Sequence, residues 1–217
     1  MQIYTYWRSL ATLRVRIVMN LKGITAEAIP IDLLKGDQRS PEFLKVNPQM
    51  VVPALVHDNG GPVLFQSMAI MEYLDETHPT PALMPSDPIG RARVRGIAQI
   101  TVADTHPLVV PRVRHYLEHN LKLDEPTRME WIRHWTTAGM KAVEENLAGN
   151  PATGTYCHGD SLTLADVATV AQALGYQMFG NDVAQFPTVK RIVDTCMAQD
   201  AFANAHPLRQ PDAPQKS

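Results

Sequence analysis

The chain has 217 residues, with 20 lysines and arginines against 22 aspartates and glutamates, so its formal net charge is −2 at pH 7. No basic block could neutralise a run of phosphates, which argues against nucleic acid as a partner. No apolar run approaches the ~20 residues that cross a bilayer, so we expect no membrane contact and a cytoplasmic protein. Cys157 and Cys196 follow no disulfide or metal-binding pattern, and we expect no metal site.

The first eighty residues alternate between strand and helix patterns. Four strands are predicted, at residues 2–6, 26–31, 51–57 and 63–65. Apolar residues recur at helical spacing after the first strand until Gly23, a natural helix end. The last two strands form a hairpin around Asn59-Gly60-Gly61. Because strand, helix and strand follow one another, we expect a right-handed crossover with parallel pairing.

The segment from Thr77 to Pro88 carries four prolines, which continue neither a helix nor a central strand. It is therefore the predicted boundary between two domains. We place an α/β domain at residues 1–80, a linker at 81–88 and an all-α domain at 89–217.

Helical patterns fill the second predicted domain. The first is a long helix with a kink or break at Pro107, one face of which would carry Val94, Ile97, Thr101, Asp104 and Leu108. Further helices are predicted over residues 131–147, from Thr163 and from Pro187, before a frayed tail. The helix from Thr163 opens with a capping box, in which Thr163 is the cap and Asp166 its reciprocal partner.

Three short stretches depart from local strand and helix rules. Ser9 stands between a strand and a helix, where a serine is commonly a helix cap. Pro53 interrupts a predicted strand, which indicates either an edge strand or a cis proline that turns the backbone of Val52 towards a peptide-like ligand. Gln66-Ser67 opens a helix, where Ser67 is expected to cap it and both residues could also bind a ligand carboxylate.

Five longer stretches occur in a characteristic order: "WRSLATLRVRI" (7–17), "NPQMVVPAL" (47–55), "QSMAIMEYL" (66–74), "DTHPLVVPRVRHYL" (104–117) and "SLTLAD" (161–166). The last stretch resembles the C-terminal domain of glutathione transferases. The first four, with "LKG" (21–23), resemble the zeta class of that family, which includes the maleylacetoacetate and maleylpyruvate isomerases. The resemblance covers essentially the whole chain. It implies the glutathione transferase fold, with a thioredoxin-like domain followed by an all-α domain. It also implies glutathione as cofactor and a homodimer.

The resemblance assigns glutathione contacts to the first domain. Ser9 would contact the sulfur, and Thr12 could supply a second hydroxyl. Val52 would pair through its backbone with the cysteinyl part, beside cis Pro53. The remaining predicted contacts, to the γ-glutamyl end and to the glycine carboxylate, are Gln66 with Ser67, and Gln38.

The resemblance also implies a reaction on a maleyl dicarboxylate. A thiolate adds to the cis double bond, the resulting single bond rotates, and elimination returns the trans product with glutathione regenerated. Arg8 would help to bind the dicarboxylate, because a guanidinium suits the two oxygens of a carboxylate. His106 and Arg112 match further polar positions of that site.

Several residues depart from the zeta-class pattern. The departures are Leu10-Ala11 after the serine, Val109-Val110 and Pro111 in place of polar residues, and Gln177 or Met178 in place of a late substrate-binding arginine. They leave two alternatives open: a transferase for a less charged electrophile, or a non-catalytic binding module. A thioredoxin-like oxidoreductase is disfavoured because residues 9–12 contain no cysteine. Arg14 and Arg16 are expected to pair with acids or to lie on the surface.

Overall fold

The structure, a computed structural model, describes residues 1–58 and 60–214. Contacts divide the chain into two compact units, Met1–Pro81 with Gln199–Ser217, and Ala82–Ala198. Asn59 of the predicted turn and residues 215–217 of the predicted tail lie outside the described residues. The helices are α1 (Leu10–Lys22), α2 (Pro41–Val46), α3 (Ser67–Thr77), α4 (Pro88–Gln99), α5 (Pro111–His119), α6 (Glu125–Leu147), α7 (Leu164–Met178), α8 (Pro187–Met197) and α9 (Asp200–Ala205).

The first unit contains a mixed sheet with the strand order β2-β1-β3-β4. Its strands are β1 (Gln2–Thr5), β2 (Glu27–Pro30), β3 (Ala54–Val56) and β4 (Leu64–Phe65). β1 pairs in parallel with β2, as the strand–helix–strand order predicted, and β3 forms the predicted antiparallel hairpin with β4. β3 also pairs with β1 and is therefore an inner strand. The edge-strand interpretation of Pro53 is wrong, since the proline lies just before β3 and no ladder bond is lost.

Helices α3 and α9 of the first unit pack against α1. Its apolar face is buried from Leu10 to Met19, and the helix ends at Gly23, whose φ of 64° is readily adopted by glycine. Asn20 donates to the carbonyl of Ala201 in α9 at 2.8 Å. The chain from Gln199 thus belongs to the first unit, which corrects the expectation that the helical domain extends to residue 217. The tail expected to fray continues into ordered hydrogen bonding as far as Asp212.

The second unit is helical, but its first predicted helix changes type. α4 ends at Gln99, residues Ile100–Thr105 form a π-helical turn, and His106–Leu108 form a 3₁₀ turn. Val94 and Thr101 are buried, whereas Asp104 is exposed. The predicted single face is wrong at Asp104, which lies inside the π turn, because the wider turn changes the angular positions of the residues from Ile100 onward.

α7 forms the centre of the second unit, with residues 164–176 all buried. The predicted capping box is confirmed: Asp166 Oδ2 accepts from the Thr163 N–H and hydroxyl, both at 2.8 Å. Asp166 Oδ1 also accepts from the Cys157 N–H at 2.7 Å. This carboxylate satisfies three donors in the interior and is a determinant of folding.

Candidate functional site

Four candidate segments lie at the same end of the strands, because the topology of the sheet brings the ends of β1, β2 and β4 and the start of β3 together. The registers pair Tyr4 of β1 with Ala54 at the start of β3, and Ala54 with Phe65 at the end of β4. The parallel partner β2 ends opposite the end of β1. Consequently the chain leaves or enters this end of the sheet at four places, which hold Arg8-Ser9, Gln38, Val52-Pro53 and Gln66-Ser67.

Ser9 caps α1 with its hydroxyl oxygen, which leaves the hydroxyl proton free to be donated. Its backbone is extended, with φ −72° and ψ 117°, and its hydroxyl oxygen accepts from the Thr12 N–H at 3.2 Å. A serine hydroxyl has one donor in addition to its acceptor lone pairs. The cap and the ligand interpretations are therefore compatible, since capping uses only an acceptor site. Ser9 is half-buried, which leaves part of its surface accessible.

Thr12 has the opposite environment. The residue is completely buried, and its hydroxyl Oγ1 has no hydrogen-bond partner among the described residues. A side chain without accessible surface offers no atom to a ligand in this conformation. The structure therefore separates the two hydroxyls that the sequence left as alternatives.

Val52 and Pro53 form a cis peptide bond, in agreement with the ligand interpretation of this dipeptide. Both residues are buried, and within residues 1–58 and 60–214 no partner is found for the backbone N–H or C=O of Val52. The preceding loop is fixed by Asn47, whose amide donates to the Val51 carbonyl at 2.8 Å and whose oxygen accepts from the Gln49 N–H at 3.1 Å. This loop offers Val52 as a pair of unused peptide groups at a fixed position.

Helix α3 begins one residue earlier than predicted. Gln66 is the N-cap of α3 and Ser67 the first helical residue, so the expectation that Ser67 caps the helix is wrong. Gln66 has φ 67°, a conformation uncommon for a residue other than glycine, and its amide donates to Gln49 Oε1 at 2.9 Å. Since no side chain caps α3, its first N–H groups are left for an anion.

Gln38 lies in a 3₁₀ turn after β2 and is half-buried. Its amide donates to the Leu33 carbonyl at 3.4 Å, whereas its Oε1 is buried without a partner among the described residues. Leu33 packs against a buried cluster of Tyr6, Ile31, Phe43 and Val52. The cluster joins the segments that carry Gln38, Val52 and the residues before Ser9.

The candidate substrate residues are divided between the units. Arg8 is half-buried and forms no ion pair or hydrogen bond with the described residues. His106 and Arg112 belong to the second unit, where His106 opens the 3₁₀ turn and Arg112 is an exposed residue of α5. α6 holds the turn from one side, because Trp131 Nε1 donates to the Leu108 carbonyl at 2.8 Å.

Arg14 and Arg16 do not lie on the surface as one alternative expected. Arg14 is only 2% exposed, its Nε donates to the Leu10 carbonyl at 3.2 Å, and burial lowers its pKa to about 9. Burial also lowers the pKa of Arg16 to about 10, with Asp212 acting in the opposite direction. Both guanidiniums donate hydrogen bonds to main-chain carbonyls.

The departures from the zeta pattern fall in different environments. Leu10 and Val109 are buried in the cores of their units, and Pro111 is the first residue of α5. Gln177 is exposed and Met178 is half-buried at the end of α7. Val109 therefore fills the interior, and its apolar side chain does not indicate an apolar binding surface.

Two histidines lie closer together than the sequence analysis recognised. His115 and His119 are one helical turn apart on α5, with ring centroids separated by 4.1 Å. They provide two potential metal ligands, but within the described part of the chain no group of three His, Cys, Asp or Glu side chains could hold a metal ion.

Cys157 and Cys196 are free and buried, and burial raises the pKa of both thiols.

Two residues that bind the site residues or their neighbours were not predicted, Gln49 and Asp212. Gln49 accepts a hydrogen bond from Gln66, but it lies in a loop whose sequence indicates only a turn after Asn47. Asp212 accepts from the backbone N–H of Trp7 at 2.8 Å, across 205 positions of sequence. No local pattern could identify that contact, since it depends on the return of the C-terminal segment to the first unit.

Comparison with known proteins decides the family. The model described as "Glutathione S-transferase, N-terminal domain" matches residues 1–76, and "Glutathione S-transferase, C-terminal domain" matches residues 137–200. The chain belongs to the glutathione S-transferase family. This confirms the predicted fold, a thioredoxin-like α/β domain followed by a helical domain.

Several relatives of the chain are named as isomerases. It is 43% identical to the maleylacetoacetate isomerase of Pseudomonas aeruginosa over 99% of each chain. The crystal structure of maleylacetoacetate isomerase from Methylobacterium extorquens AM1 with bound malonate and GSH has a TM-score of 0.96 at 46% identity, covering 99% of this chain and 100% of that one. A holo maleylpyruvate isomerase described as a zeta-class glutathione S-transferase has a TM-score of 0.94 at 41% identity, with 99% and 100% covered. The resemblance to the zeta class is confirmed.

Within the described residues of this transferase, no helix is both long enough and apolar enough to cross a bilayer.

Proposed function

We propose that this transferase is a glutathione-dependent cis–trans isomerase of a maleyl keto acid, either maleylpyruvate or maleylacetoacetate. The observation that carries the proposal is the hydroxyl of Ser9, which caps α1 with its oxygen and keeps its proton for a ligand. Full-length similarity to proteins named maleylacetoacetate and maleylpyruvate isomerase supports the choice of reaction.

Glutathione fits the unused polar groups of the first unit. The unpaired peptide groups of Val52 suit the cysteinyl residue, and the uncapped N-terminus of α3 with Ser67 suits the γ-glutamyl carboxylate. Gln66 would complete that end. Gln38 has a buried acceptor left for a peptide N–H, whereas binding the glycine carboxylate would require its amide to leave Leu33.

When bound, glutathione supplies the thiolate that acts as nucleophile. A thiol of pKa ~8.5 needs roughly 2.7 kcal/mol of preference for the anion to be lowered by two units. One hydroxyl donor to a charged acceptor contributes about 1.5–3 kcal/mol, and a helix N-terminus adds about 0.3–1. Ser9 at the start of α1 is sufficient for that task, and the burial of Thr12 favours Ser9 as the sole hydroxyl donor.

The substrate carboxylates require partners that carry positive charge or donate hydrogen bonds. We assign them to Arg8, His106 and Arg112, of which Arg8 and Arg112 form no ion pair within the described residues. A guanidinium without an internal partner retains its donors for a carboxylate or a developing enolate. These groups would replace the arginine missing at Gln177 or Met178.

The second candidate is a transferase for a less charged electrophile. It is favoured by the exposed amide of Gln177 and by Met178, which carry no positive charge. Val109 does not support it, because this side chain is buried in the core. A non-catalytic binding module has no use for the combination of Ser9, cis Pro53 and the uncapped α3.

The experiment is the rate of isomerisation of maleylpyruvate and maleylacetoacetate with and without glutathione. Wild type and Ser9→Ala are compared, and an apolar aryl halide is assayed in parallel. Fast, glutathione-dependent isomerisation that collapses in Ser9→Ala is the expected result. Conjugation of the aryl halide without isomerisation would replace the proposal by the second candidate, and glutathione binding without either reaction would favour the binding module.

Domain roles, assembly and location complete the proposal. The first unit would bind glutathione, residues 81–88 would form the linker, and the second unit would contribute substrate contacts. A homodimer is supported by exposed large apolar side chains of the first unit, among them Met50 and Phe65, and light scattering would measure its mass. A cytoplasmic location agrees with two free buried thiols, and fractionation of cells tests it.

A further inference from the structure

The loop between β1 and α1 is bound from one side by Arg16. This guanidinium donates to Thr5 Oγ1 at 3.2 Å, to the Tyr6 carbonyl at 3.5 Å and to the Trp7 carbonyl at 3.1 Å. One planar side chain thus contacts three consecutive residues. Because those residues immediately precede Arg8 and Ser9, the geometry of Arg16 determines where the chain enters α1.

Asp212 binds the same loop from the C-terminal segment. Its Oδ2 accepts from the Trp7 N–H at 2.8 Å, so both peptide groups of Trp7 are held, one by Asp212 and one by Arg16. The Ser9 N–H in turn donates to the Tyr6 carbonyl at 2.9 Å. Hydrogen bonds therefore connect Asp212 and Arg16 to the backbone of Ser9 through two residues.

The C-terminal segment that carries Asp212 has its own anchors. Gln210 Nε2 donates to the carbonyls of Asn204 and His206, both at 3.0 Å. Upstream, α9 is bound to α1 through Asn20 and Ala201. The carboxylate of Asp212 therefore belongs to an ordered segment, and its contact with the loop is part of the fold.

We infer that Arg16 and Asp212 are positioning residues for Ser9: by fixing both peptide groups of Trp7 they set the direction of the Ser9 hydroxyl and so the thiol pKa of bound glutathione. The inference rests on the proposed function, in which Ser9 is the donor to the thiolate. Hydrogen bonds weaken steeply when the donor is misaligned, so a small rotation of this loop reduces thiolate stabilisation without removing any ligand contact.

The charge of Asp212 and its hydrogen bond to Trp7 predict opposite changes in the bound-thiol pKa when Asp212 is replaced. The charges that act on this loop are those of Arg8, Arg16, Asp32, His206 and Asp212. Removal of the negative charge of Asp212 would by itself favour a nearby thiolate and lower the thiol pKa. Loss of the hydrogen bond to Trp7 would instead misplace Ser9 and raise it.

The test titrates the ultraviolet absorbance of the glutathione thiolate bound to the full chain, together with glutathione affinity and melting temperature. Asp212→Ala is expected to raise the bound-thiol pKa by about one unit while glutathione affinity changes less than threefold. Asp212→Asn loses the charge but keeps an amide oxygen that accepts from Trp7, so its bound-thiol pKa should equal the wild-type value or lie slightly below it. Asp200→Ala is the matched control, because it removes the same charge from the same segment and should leave the thiol pKa unchanged.

Two results would overturn the inference. The first is an unchanged or lowered thiol pKa in Asp212→Ala, whatever happens to its melting temperature. The second is equal behaviour of Asp212→Asn and Asp212→Ala, which would assign the effect to charge. If Asp212→Ala does not fold, Arg16→Lys decides the question, because an ammonium keeps the charge but not the planar fork and should also raise the thiol pKa. A wild type without any thiolate absorbance would contradict the proposed function instead.

Discussion

The hydroxyl of Ser9 and the backbone N–H of Thr12 form a hydrogen bond of 3.2 Å, in which the oxygen of Ser9 is the acceptor. The bond caps α1 and turns the two hydroxyls of this turn into different chemical groups. Ser9 keeps a donor and partial exposure, whereas Thr12 is completely buried with an unpaired oxygen.

Ser9→Gly and Thr12→Val should therefore have opposite effects. Glycine is a tolerated cap, so Ser9→Gly should cost only a few tenths of a kcal/mol in stability while glutathione thiolate formation is lost. Thr12→Val replaces an unpaired buried hydroxyl by a methyl group and should stabilise the fold by up to about 1 kcal/mol with thiolate formation intact. Denaturant unfolding and thiolate absorbance measure both. Loss of the thiolate in Thr12→Val would assign the sulfur contact to Thr12.

Lys22, the last residue of α1, binds the C-terminal part of α3 and the chain that follows it. Its Nζ donates to Asp75 Oδ1 at 2.6 Å, to the His78 carbonyl at 2.7 Å and to the Pro81 carbonyl, and the side chain is fully buried. Lys22→Met should destabilise the protein by about 3–5 kcal/mol, because it leaves the carboxylate of Asp75 with one charged partner fewer in the interior.

The control for Lys22 is an exposed ion pair in the same unit. Lys35 lies 3.5 Å from Asp32 and its side chain is 80% exposed, so Lys35→Met should change the free energy of unfolding by less than about 1 kcal/mol. Equal effects of the two substitutions in urea unfolding would show that Lys22 contributes no more than a surface charge.

Local patterns predicted the elements that position the site. The alternation of strand and helix gave the parallel pairing of β1 with β2, and the two glycines after Asn59 indicated the hairpin of β3 and β4. The capping role of Ser9 was predicted from its place between a strand and a helix, whereas its contact with the glutathione sulfur was implied only by the resemblance to the zeta class. What these features share is that each depends on neighbours within a few residues.

Features that depend on distant residues were not predicted. Residues 100–105 carry an ordinary helical pattern, yet they form a π turn where the side chain of Thr105 packs against α6. Asp212 and Trp7 are far apart in sequence, and nothing in either neighbourhood indicates the other. The capping role moved from Ser67 to Gln66 because Gln66 adopts a positive φ that its residue type rarely favours.

The contact between Gly139 and Thr105 supports the π turn and leads to a third prediction. A Cβ at Gly139 would lie 1.9 Å from Thr105 Oγ1 and 2.8 Å from Thr105 Cβ. Gly139→Ala should cost about 1–3 kcal/mol and lower affinity for the substrate, since His106 directly follows Thr105. Glutathione affinity should not change, because its proposed contacts lie in the first unit.

Gly96→Ala provides the matched control. Gly96 lies in α4 with nothing within 4 Å of an added Cβ, so alanine should stabilise the protein by about 0.5–1 kcal/mol through helix propensity. Adding Thr105→Ala to Gly139→Ala should recover only part of the loss, since the Cβ of residue 105 remains too close. Full stability of Gly139→Ala alone would contradict this account of the π turn.

His206 should make stability depend on pH. Burial, Arg209 and Arg16 lower its pKa from 6.5, and its Nδ1 accepts from the Leu208 N–H at 3.2 Å. Below about pH 6.5 the unfolded chain binds a proton at this histidine that the folded chain still rejects, so stability falls as the pH decreases through that range. Protonation also removes the acceptor for Leu208, which loosens the segment that carries Asp212.

His206→Gln removes the titrating group, so the melting temperature of this variant should decrease less than that of wild type between about pH 7 and pH 5. His134→Gln, an exposed histidine of the second unit, is the control and should follow the wild-type curve. The titration of the bound thiol provides an independent check. Protonation of His206 loosens Asp212 in wild type only, so the apparent thiol pKa should be higher in wild type than in His206→Gln. Parallel melting curves for all three proteins would show that His206 does not control the C-terminal segment.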